Sequence, residues 1–334
     1  MTMDSTCEGV RRLMRASLLL LIFAQMLPLR EAVAAEPIRI SVSRTPLSLP
    51  IFVAESQGYF AAEGLPVRIS EVIGGHRTLQ QVFDGSADMA TSSDAVVMFN
   101  SFKRDDYAVI ATFVSSDDDL RLVTRASTGI TRVPQLAGKR VATVVGASSH
   151  YFLDNSLLLN GVDPRTVQIK NMQPEMMVEA LQKGEVDAIA IWEPYPFQAL
   201  AKVSDAKVLP KSGGYVESFN LIISKKLQGV RDDDLVKLLR ALDRAQQFIA
   251  SEPGRAKFIL RERLQVDEKF IDSIWPRYNY RNSLNQSLLT TLEGEARWAR
   301  REGHVKAEQS PNYLDFIYAL PLRRVRPAAV NIRD

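Results

Sequence analysis

The run VATVVGASSHYFLDNSLLLNG, residues 141–161, carries the clearest signal of the fold. It begins as an apolar stretch typical of a buried strand, turns at Gly146, and continues with a helical pattern. Between strand and helix stand Ala147, Ser148 and Ser149, which leave the helix start bare. Backbone N–H groups at a helix N-terminus attract negative charge. The turn therefore predicts either a plain helix cap or one wall of an anion-binding site.

The same alternation of strand and helix extends on both sides of this run. Strands are predicted at 37–43, 66–72, 87–91, 107–114, 138–145, 166–171 and 187–192, and helices at 49–64, 75–84, 94–102, 148–160 and 174–183. Beyond about residue 231 the pattern is mostly helical. Short connections in such an alternation are typical of mostly parallel sheets flanked by helices.

The segments 75–95 and 174–194 resemble each other, which suggests an internal repeat. Each reads as a helix, then Gly-x-x-Asp, then a strand, with Gly85 and Asp88 matched by Gly184 and Asp187 at a constant offset of 99 residues. We expect the glycines to end helices in the left-handed conformation and the aspartates to form turn or cap hydrogen bonds. The repeat predicts two similar α/β lobes, although two unrelated helix–strand units would also look alike.

Composition restricts the possible function. The chain has 334 residues, of which 46% are hydrophobic and 24% charged, as in a globular protein of one large or two ordinary domains. The formal net charge is +3 and no basic run is present, so no nucleic-acid partner is expected. No stretch has 18 uninterrupted apolar residues, and therefore no membrane span is predicted.

The first 34 residues are predicted to be a signal peptide. Three arginines precede the apolar run SLLLLIFAQML at 17–27, which is too short to span a bilayer, and AVAA at 32–35 offers a cleavage site near Ala34 or Ala35. The pair Arg11–Arg12 also allows a twin-arginine signal, and an uncleaved anchor is a further alternative. The expected location is the periplasm.

The positions of cysteine and histidine argue against several kinds of chemistry. The sole cysteine, Cys7, lies in the predicted signal peptide, so the mature chain is expected to have no disulfide and no thiolate nucleophile. His76, His150 and His304 are the three histidines, and none has a metal-binding spacing such as H-E-x-x-H. Neither a metal nor a cofactor is expected.

The residues that follow the strands are candidates for a binding site, because open α/β sheets bind ligands beyond the carboxyl ends of their strands. These segments are RTPLSLP (44–50), GGHRT (74–78), TSSDA (91–95), GASSH (146–150) and WEPY (192–195). Most carry Ser or Thr beside a helix start, and two carry Gly. Each turn alone would be an ordinary cap, but several such turns on one edge predict an anion-holding cleft.

Several blocks of the chain resemble a known family. They include SLPIFVAESQGYFAAEGLPVRI, VFDGSADMA, LAGKRVATVVGASSHYFL and EALQKGEVDAIAIWEPY, within roughly residues 37–320. The chain resembles the nitrate/sulfonate/taurine-type substrate-binding proteins of ABC importers, in a domain family that includes thiamine-pyrimidine-synthase-like proteins. The resemblance implies a type II periplasmic-binding-protein fold, in which two lobes close by a hinge around a ligand. It also implies a monomer that delivers its ligand to an ABC permease in the inner membrane.

Two further strand-like segments are predicted to cross between the lobes. Residues 120–125 lead into lobe two, and residues 219–224 return to lobe one. The predicted boundaries are 35–119 and 225–334 for lobe one and 126–218 for lobe two. Two crossings permit hinge motion without free rotation.

The candidate ligand contacts come from the turns that follow the strands. Glycines allow close backbone approach, hydroxyls donate hydrogen bonds, and an aromatic ring can either stack on a ligand or fill the core. His76 could add charge. The candidates are Pro46, Leu47, Gly74, Gly75, His76, Ser92, Ser93, Asp94, Gly146, Ser148, Ser149, Trp192 and Glu193.

Two of these candidates, Asp94 and Glu193, are acidic and hold matching places in the repeat. A carboxylate in a cleft built for anions would repel a simple oxyanion. Their presence indicates a ligand that also carries an amine or a ring N–H, unless they are plain charges at helix N-termini.

The expected function is extracytoplasmic capture of a small anionic or zwitterionic solute that is sulfonate-, taurine-, nitrate- or pyrimidine-like. An enzyme on the same scaffold is the alternative. A desulfinase needs a nucleophilic cysteine and the pyrimidine synthases rely on a cysteine-rich motif, and the mature chain has neither. A binding protein that serves a sensory receptor fits the sequence equally well.

Overall fold

Strands and helices alternate along the first two thirds of the chain, as predicted. The computed structural model describes residues 36–211 and 213–333, and the predicted signal peptide at 1–34 lies outside them. The compact unit begins at Pro37.

Eleven strands of the described residues form two sheets. They are β1 (Ile38–Ser43), β2 (Val67–Val72), β3 (Met89–Ser93), β4 (Tyr107–Ser116), β5 (Leu120–Arg125), β6 (Arg140–Thr143), β7 (Gln168–Asn171), β8 (Ala188–Trp192), β9 (Ala206–Val208), β10 (Glu217–Ser224) and β11 (Tyr278–Ser283). Sheet one has the strand order β11-β4-β10-β3-β1-β2, and sheet two has the order β7-β6-β8-β5-β9.

Most strands of each sheet run in one direction, with one internal strand reversed. In sheet one, β10 is antiparallel to both β3 and β4, and in sheet two β5 is antiparallel to both β8 and β9. Five strands of sheet one, in the order β2-β1-β3-β10-β4, therefore have the same relative directions as the five strands of sheet two, in the order β7-β6-β8-β5-β9. The predicted α/β architecture of mostly parallel sheets is confirmed, and the reversed strands make both sheets mixed. The edge strand β11, antiparallel to β4, was not predicted.

The four helices predicted at 75–84, 94–102, 148–160 and 174–183 begin and end within one residue of those positions. The described residues form twelve α-helices in all. They are α1 (Leu49–Ser56), α2 (Tyr59–Ala62), α3 (Gly75–Phe83), α4 (Asp94–Ser101), α5 (Ser148–Leu159), α6 (Pro174–Lys183), α7 (Tyr195–Lys202), α8 (Asp232–Ser251), α9 (Pro253–Leu264), α10 (Glu268–Ile274), α11 (Gln286–Arg301) and α12 (Leu320–Val325). The predicted helix at 49–64 is divided into α1 and α2 because Gly58 adopts a φ of +68°. Among the helices of residues 36–211 and 213–333, none has the length and hydrophobicity needed to cross a bilayer.

The C-terminal helices pack on sheet one. Helix α8 contacts α1, α2 and α12. It buries leucines at the i, i+3, i+4 and i+7 positions of one face, namely Leu235, Leu238, Leu239 and Leu242. One large apolar core includes residues of both sheets, and a smaller cluster with Leu122, Leu136 and Leu153 lies in sheet two and its helices.

The segments predicted as hinge crossings are strands within the sheets. Residues 120–125 form β5 of sheet two, and residues 219–224 belong to β10 of sheet one. The chain passes between the sheets just before these strands, after β4 ends at Ser116 and after β9 ends at Val208. The lobe boundaries 35–119, 126–218 and 225–334, and the hinge motion itself, remain predictions.

Each sheet contains the same ion-paired brace at the repeat recognised in the sequence. The residues are Arg39, Gly85 and Asp88 in sheet one, and Arg140, Gly184 and Asp187 in sheet two. In both braces the arginine guanidinium donates to the carboxylate, at 2.6 Å in sheet one and 2.8 Å in sheet two, and to the glycine carbonyl oxygen. The arginine backbone N–H also donates to the same carboxylate. The aspartates were expected in turn or cap bonds, and instead they join neighbouring strands.

Candidate ligand-binding site

A small cavity lies where strand ends of the two sheets meet. Its volume is about 20 Å³, room for about one water molecule. The lining residues are Ser43, Thr45, Leu47, Gly75, Ser93, Val96, Asp119, Ala147, Ser148, Trp192, Glu217 and Phe219. Strands β1, β3 and β8 end there. The reversed strands β5 and β10 begin there, because their N-terminal ends reach the same edge as the carboxyl ends of their neighbours.

Three helix N-termini contribute residues to this cavity. Helices α3, α4 and α5 are preceded by Gly74, Ser93 and Ala147, and none of these makes a side-chain cap hydrogen bond. The first N–H groups of a helix have no acceptor within the helix, and they carry partial positive charge. In α4 one such group, the N–H of Ala95, donates to Asp94. The other two helix starts leave donors for a bound group.

The cavity also contains two buried carboxyl groups, Asp119 and Glu217, which are 1% and 2% exposed. One oxygen of Asp119 accepts a hydrogen bond from the Tyr278 hydroxyl at 2.6 Å. The other oxygen, Oδ2, and the Oε2 atom of Glu217 have no hydrogen-bond partner.

Burial raises the pKa of both cavity carboxyls. The pKa of Asp119 rises to about 7, because burial and the negative charge of Glu193 outweigh the hydrogen bond from Tyr278. Burial raises the pKa of Glu217 well above its usual value, and the nearby Asp119 and Asp94 add to the effect. Whether these two carboxyls are ionised near neutral pH therefore depends on the groups that contact them.

Five of the predicted contact residues line the cavity: Leu47, Gly75, Ser93, Ser148 and Trp192. Trp192 is 7% exposed and belongs to the apolar core while also lining the cavity, and its stacking on a ligand remains a prediction. The close approach expected at Gly75 is made to Ser92, since a Cβ there would lie 2.5 Å from the Ser92 Oγ and 2.9 Å from its Cα.

The remaining predicted residues lie beside the cavity without lining it, namely Pro46, Gly74, His76, Ser92, Asp94, Gly146, Ser149 and Glu193. Ser149 is fully buried, and its hydroxyl oxygen accepts from the Thr143 hydroxyl at 2.9 Å and from the Val144 N–H at 3.3 Å. It therefore joins α5 to β6. Burial lowers the pKa of His76 to about 4, so this residue adds no positive charge at neutral pH.

The acidic pair Asp94 and Glu193 binds other parts of the chain. Asp94 accepts from the Tyr215 hydroxyl and from the Ser218 N–H, which fixes the segment returning to sheet one. Glu193 accepts from the Arg277 guanidinium at 3.0 Å. Both carboxylates are thus bound by the chain itself, and a contact of either with the ligand remains a prediction.

Asp119 and Glu217 were missed because only residues that follow strands were considered. Both precede the strands predicted to cross between the lobes. A crossing strand that enters its sheet antiparallel to its neighbours has its first residues at the cavity edge. A search of the residues before 120 and before 219 would have found both.

One cluster of the described residues could hold a metal ion. His150 and Asp154 lie one turn apart on α5, and His304 follows α11, with their ligand-type atoms within 4.8 Å of one another. His304 Nε2 lies 3.0 Å from Asp154 Oδ2. Imidazole and carboxylate suit ions such as Zn²⁺. The spacing in the sequence did not reveal this cluster because His304 comes from a distant segment.

A larger cavity, of about 380 Å³, lies elsewhere, between β4, β11 and the C-terminal segment. It is lined mostly by polar side chains that include Thr112, Asn279 and Arg281. None of the predicted contact residues lines it.

Two relatives resemble the chain over most of their length. A candidate aliphatic sulfonates-binding protein of Bacillus subtilis (strain 168) is 26% identical over 247 residues, which are 71% of this chain and 72% of the relative. The taurine-binding periplasmic protein of Escherichia coli (strain K12) is 24% identical over 227 residues, 66% and 69% of the two chains.

Solved structures share the fold. The alkanesulfonate-binding protein SsuA from Xanthomonas axonopodis pv. citri, bound to MOPS, has a TM-score of 0.77 at 17% identity and covers 86% of this chain and 100% of that one. The desulfurization enzyme DSZB has a TM-score of 0.63 at 13% identity, with 86% and 98% covered. The fold alone therefore accommodates both binding proteins and an enzyme.

The family can be assigned from the sequence itself. The model of the NMT1/THI5-like family matches residues 45–256, which include the cavity residues from Thr45 to Phe219. The two-sheet architecture agrees with the periplasmic binding proteins of known structure. The chain belongs to the NMT1/THI5-like family and has the fold of periplasmic solute-binding proteins.

Proposed function

We propose that the protein is the extracytoplasmic solute-binding component of an ABC importer. It captures a small anionic or zwitterionic solute and delivers it, as a monomer, to a permease in the inner membrane. The observation that carries the proposal is a cavity at the strand ends of both sheets, lined by residues from three uncapped helix N-termini. The named relatives and the predicted signal peptide support the same function.

The acidic group of the solute is held by donors from both sheets. The helix starts at Gly75 and Ser148 supply backbone N–H groups, and the hydroxyls of Thr45 and Ser148 line the same cavity. The Thr45 hydroxyl is buried and has no partner. A hydrogen bond contributes about 1 kcal/mol net, and more when one partner is charged.

Capture requires the sheets to move apart and close again. The cavity accommodates about one water, so a sulfonate cannot enter this conformation. Two ion pairs join the sheets beside it: Arg277 with Glu193 at 3.0 Å, and Arg77 with Glu175 at 2.8 Å. Opening would break these pairs, and ligand contacts would favour their return.

Catalysis is not part of the proposal. Of the described residues that line the cavity, none is Cys, His or Lys, the side chains that most often act as activated nucleophiles or as a Ser-activating base. DSZB shows that an enzyme can use this fold, so product analysis belongs in the test.

The test uses the mature chain beginning at Ala35. Thermal shifts are measured with alkanesulfonates, taurine, nitrate, pyrimidines and aromatic acids, and each ligand that stabilises the protein is then measured by calorimetry. A ligand at a hundredfold excess over its Kd stabilises by about 2.7 kcal/mol. Recovery of the unchanged solute supports binding without catalysis. A chemically altered solute, or no stabilisation by any compound, would contradict the proposal.

A further inference from the structure

We propose that the solute carries a cationic nitrogen held by Asp119 and Glu217, in addition to its anionic group. The solute is then a small zwitterion of the aminosulfonate or amino-acid type, and neither nitrate nor a simple alkanesulfonate is the preferred ligand. This inference rests on the proposed function and specifies its ligand class.

The two carboxyls converge from different parts of the fold. Asp119 directly precedes β5 of sheet two, and Glu217 is the first residue of β10 in sheet one. Each has an oxygen without a hydrogen-bond partner, and both side chains line the same cavity. A group bound between them would contact both sheets at once.

None of the described residues that line the cavity is Lys, Arg or His, so no cationic side chain contacts the pair there. The charge of Arg277 lowers the pKa of Asp119 from outside the cavity without offsetting the effect of burial. Its guanidinium is bound to Glu193 at 3.0 Å and to Asp118 at 3.3 Å. Buried carboxylates without a compensating charge are strongly unfavourable. A ligand ammonium, with three N–H donors and a positive charge, would satisfy both free oxygens.

Other lining residues suit the anionic group of such a ligand. Thr45 brings a hydroxyl, and Gly75 and Ser148 bring backbone N–H donors at helix starts, while the Ser148 side chain interacts with Glu217. Donors for an anion and acceptors for a cation thus occur in one cavity, and a zwitterion uses both sets. A simple anion would leave the carboxyls unpaired or require both to be protonated.

Protonation of both carboxyls is the competing explanation. Two neutral acids could donate hydrogen bonds to an oxyanion, and the raised pKa of Asp119 permits this near neutrality. The ionisable groups around the pair also affect the equilibrium, namely Asp94, Asp118, Glu193, Arg277, Tyr278 and Glu295. The two explanations predict opposite pH dependence and opposite tolerance of amide side chains.

The first experiment compares ligands that differ only at the nitrogen. Calorimetry on the wild-type mature chain measures taurine against propane-1-sulfonate and β-alanine against butyrate, pairs in which a methyl group replaces the ammonium. We expect the ammonium member of at least one pair to bind at least about tenfold more tightly, the value of one charge-assisted hydrogen bond. Affinity for this ligand should rise between pH 5 and pH 8 as Asp119, whose pKa is about 7, ionises.

The second experiment changes the protein. Glu217→Gln and Asp119→Asn should each lower the affinity for the ammonium ligand at least about tenfold and remove the preference over its methyl counterpart. Asp272→Asn is the matched control, because this exposed carboxylate of α10 pairs with Lys257 of α9 outside the cavity and should leave binding unchanged. Melting temperatures establish that each variant is folded.

The outcomes separate this inference from the proposed function. If the alkyl compounds bind as tightly as their ammonium counterparts, or if the amide variants bind normally, the zwitterion assignment is wrong and the binding function stands. Affinity that falls with rising pH would overturn it in favour of the protonated pair. If no solute of any class binds, both the function and the inference fail.

Discussion

The two sheets are built alike in their interiors and differ where they meet the cavity. Both contain the Arg–Gly–Asp brace, and both have the same order of five strands. At the cavity, β3 ends in Ser93 whereas β8 ends in Trp192 at the matching position. Sheet one thus contributes small polar surface, and sheet two contributes an aromatic face. The scaffold is repeated, and the two sheets differ at the strand ends that line the cavity.

The acidic residues extend this contrast. Asp94 and Glu193 hold matching places in the repeat, and both bind the chain itself, through Tyr215 in one case and Arg277 in the other. The free carboxyls come from the crossing segments. The acidic residues that repeat between the sheets therefore bind the chain itself, whereas the carboxyls with an unpartnered oxygen lie at the crossings.

The largest expected effect concerns the buried ion pair between the sheets. Arg277→Ala leaves Glu193, 2% exposed, with only the longer 4.0 Å ion pair to Arg121, and should lower the free energy of unfolding by about 3–5 kcal/mol. Arg77→Ala removes the half-exposed pair with Glu175 and should cost under about 1 kcal/mol. Urea unfolding measures both. Equal losses in the two variants would show that burial does not distinguish these contacts.

A smaller effect is expected where sheet one packs most tightly. Gly75→Ala should destabilise the protein by about 1–3 kcal/mol, because the new Cβ would meet the Ser92 backbone at 2.9 Å. Gly254→Ala is the control, since no atom lies within 4 Å of its Cβ and alanine favours a helix. It should be neutral or stabilising. If Gly75→Ala unfolds thermally like the control, the close contact between α3 and β3 does not exclude a side chain at position 75.

The adjacent serines at the start of α5 should separate stability from binding. Ser149→Ala removes the acceptor used by Thr143 and Val144 and should cost about 1 kcal/mol of stability with little change in affinity. Ser148→Ala removes a cavity donor and should weaken binding about tenfold. Calorimetry and unfolding curves on both variants test this division. The reverse result would exchange the two roles.

The braces should produce the smallest effect, and one that depends on pH. Hydrogen bonding by Arg140 lowers the pKa of Asp187, and although burial opposes it, the bonds with Arg39 lower the pKa of Asp88. A carboxyl whose pKa is lower in the folded chain than in the unfolded chain stabilises the fold at pH values above its unfolded pKa, about 4. That stabilisation is lost as the pH falls through the folded pKa. Asp88→Asn and Asp187→Asn should each reduce Tm by about 1–3 °C at pH 7 and by less at pH 3. A loss that is constant with pH would mean that charge plays no part.

Much of the fold could be predicted because its signals are local. The helix after Gly146 and the strand ending at Trp192 each follow from a short hydrophobic pattern. The direction in which a strand enters its sheet is a property of the whole topology, and no local pattern reveals it. The reversal of β5 and β10 therefore escaped prediction, as did the strand β11 within a mostly helical region.

The site was predicted in part for the same reason. Gly75, Ser93 and Ser148 were found because they follow strands. Asp119 and Glu217 depend on the reversed strands, and the position of Ser149 depends on which way a hydroxyl turns at a helix start. The orientation of the Ser149 hydroxyl is determined by the packing of α5 against β6, and this packing cannot be predicted from a local sequence pattern.

The central place of β10 also affects the order in which the protein can fold. Strands β3 and β4 do not touch directly, since β10 lies between them and pairs with both. Roughly 100 residues separate β4 from β10, and a ribosome needs about 5–20 s to synthesise them. Sheet one must therefore wait for the chain of sheet two to emerge and return.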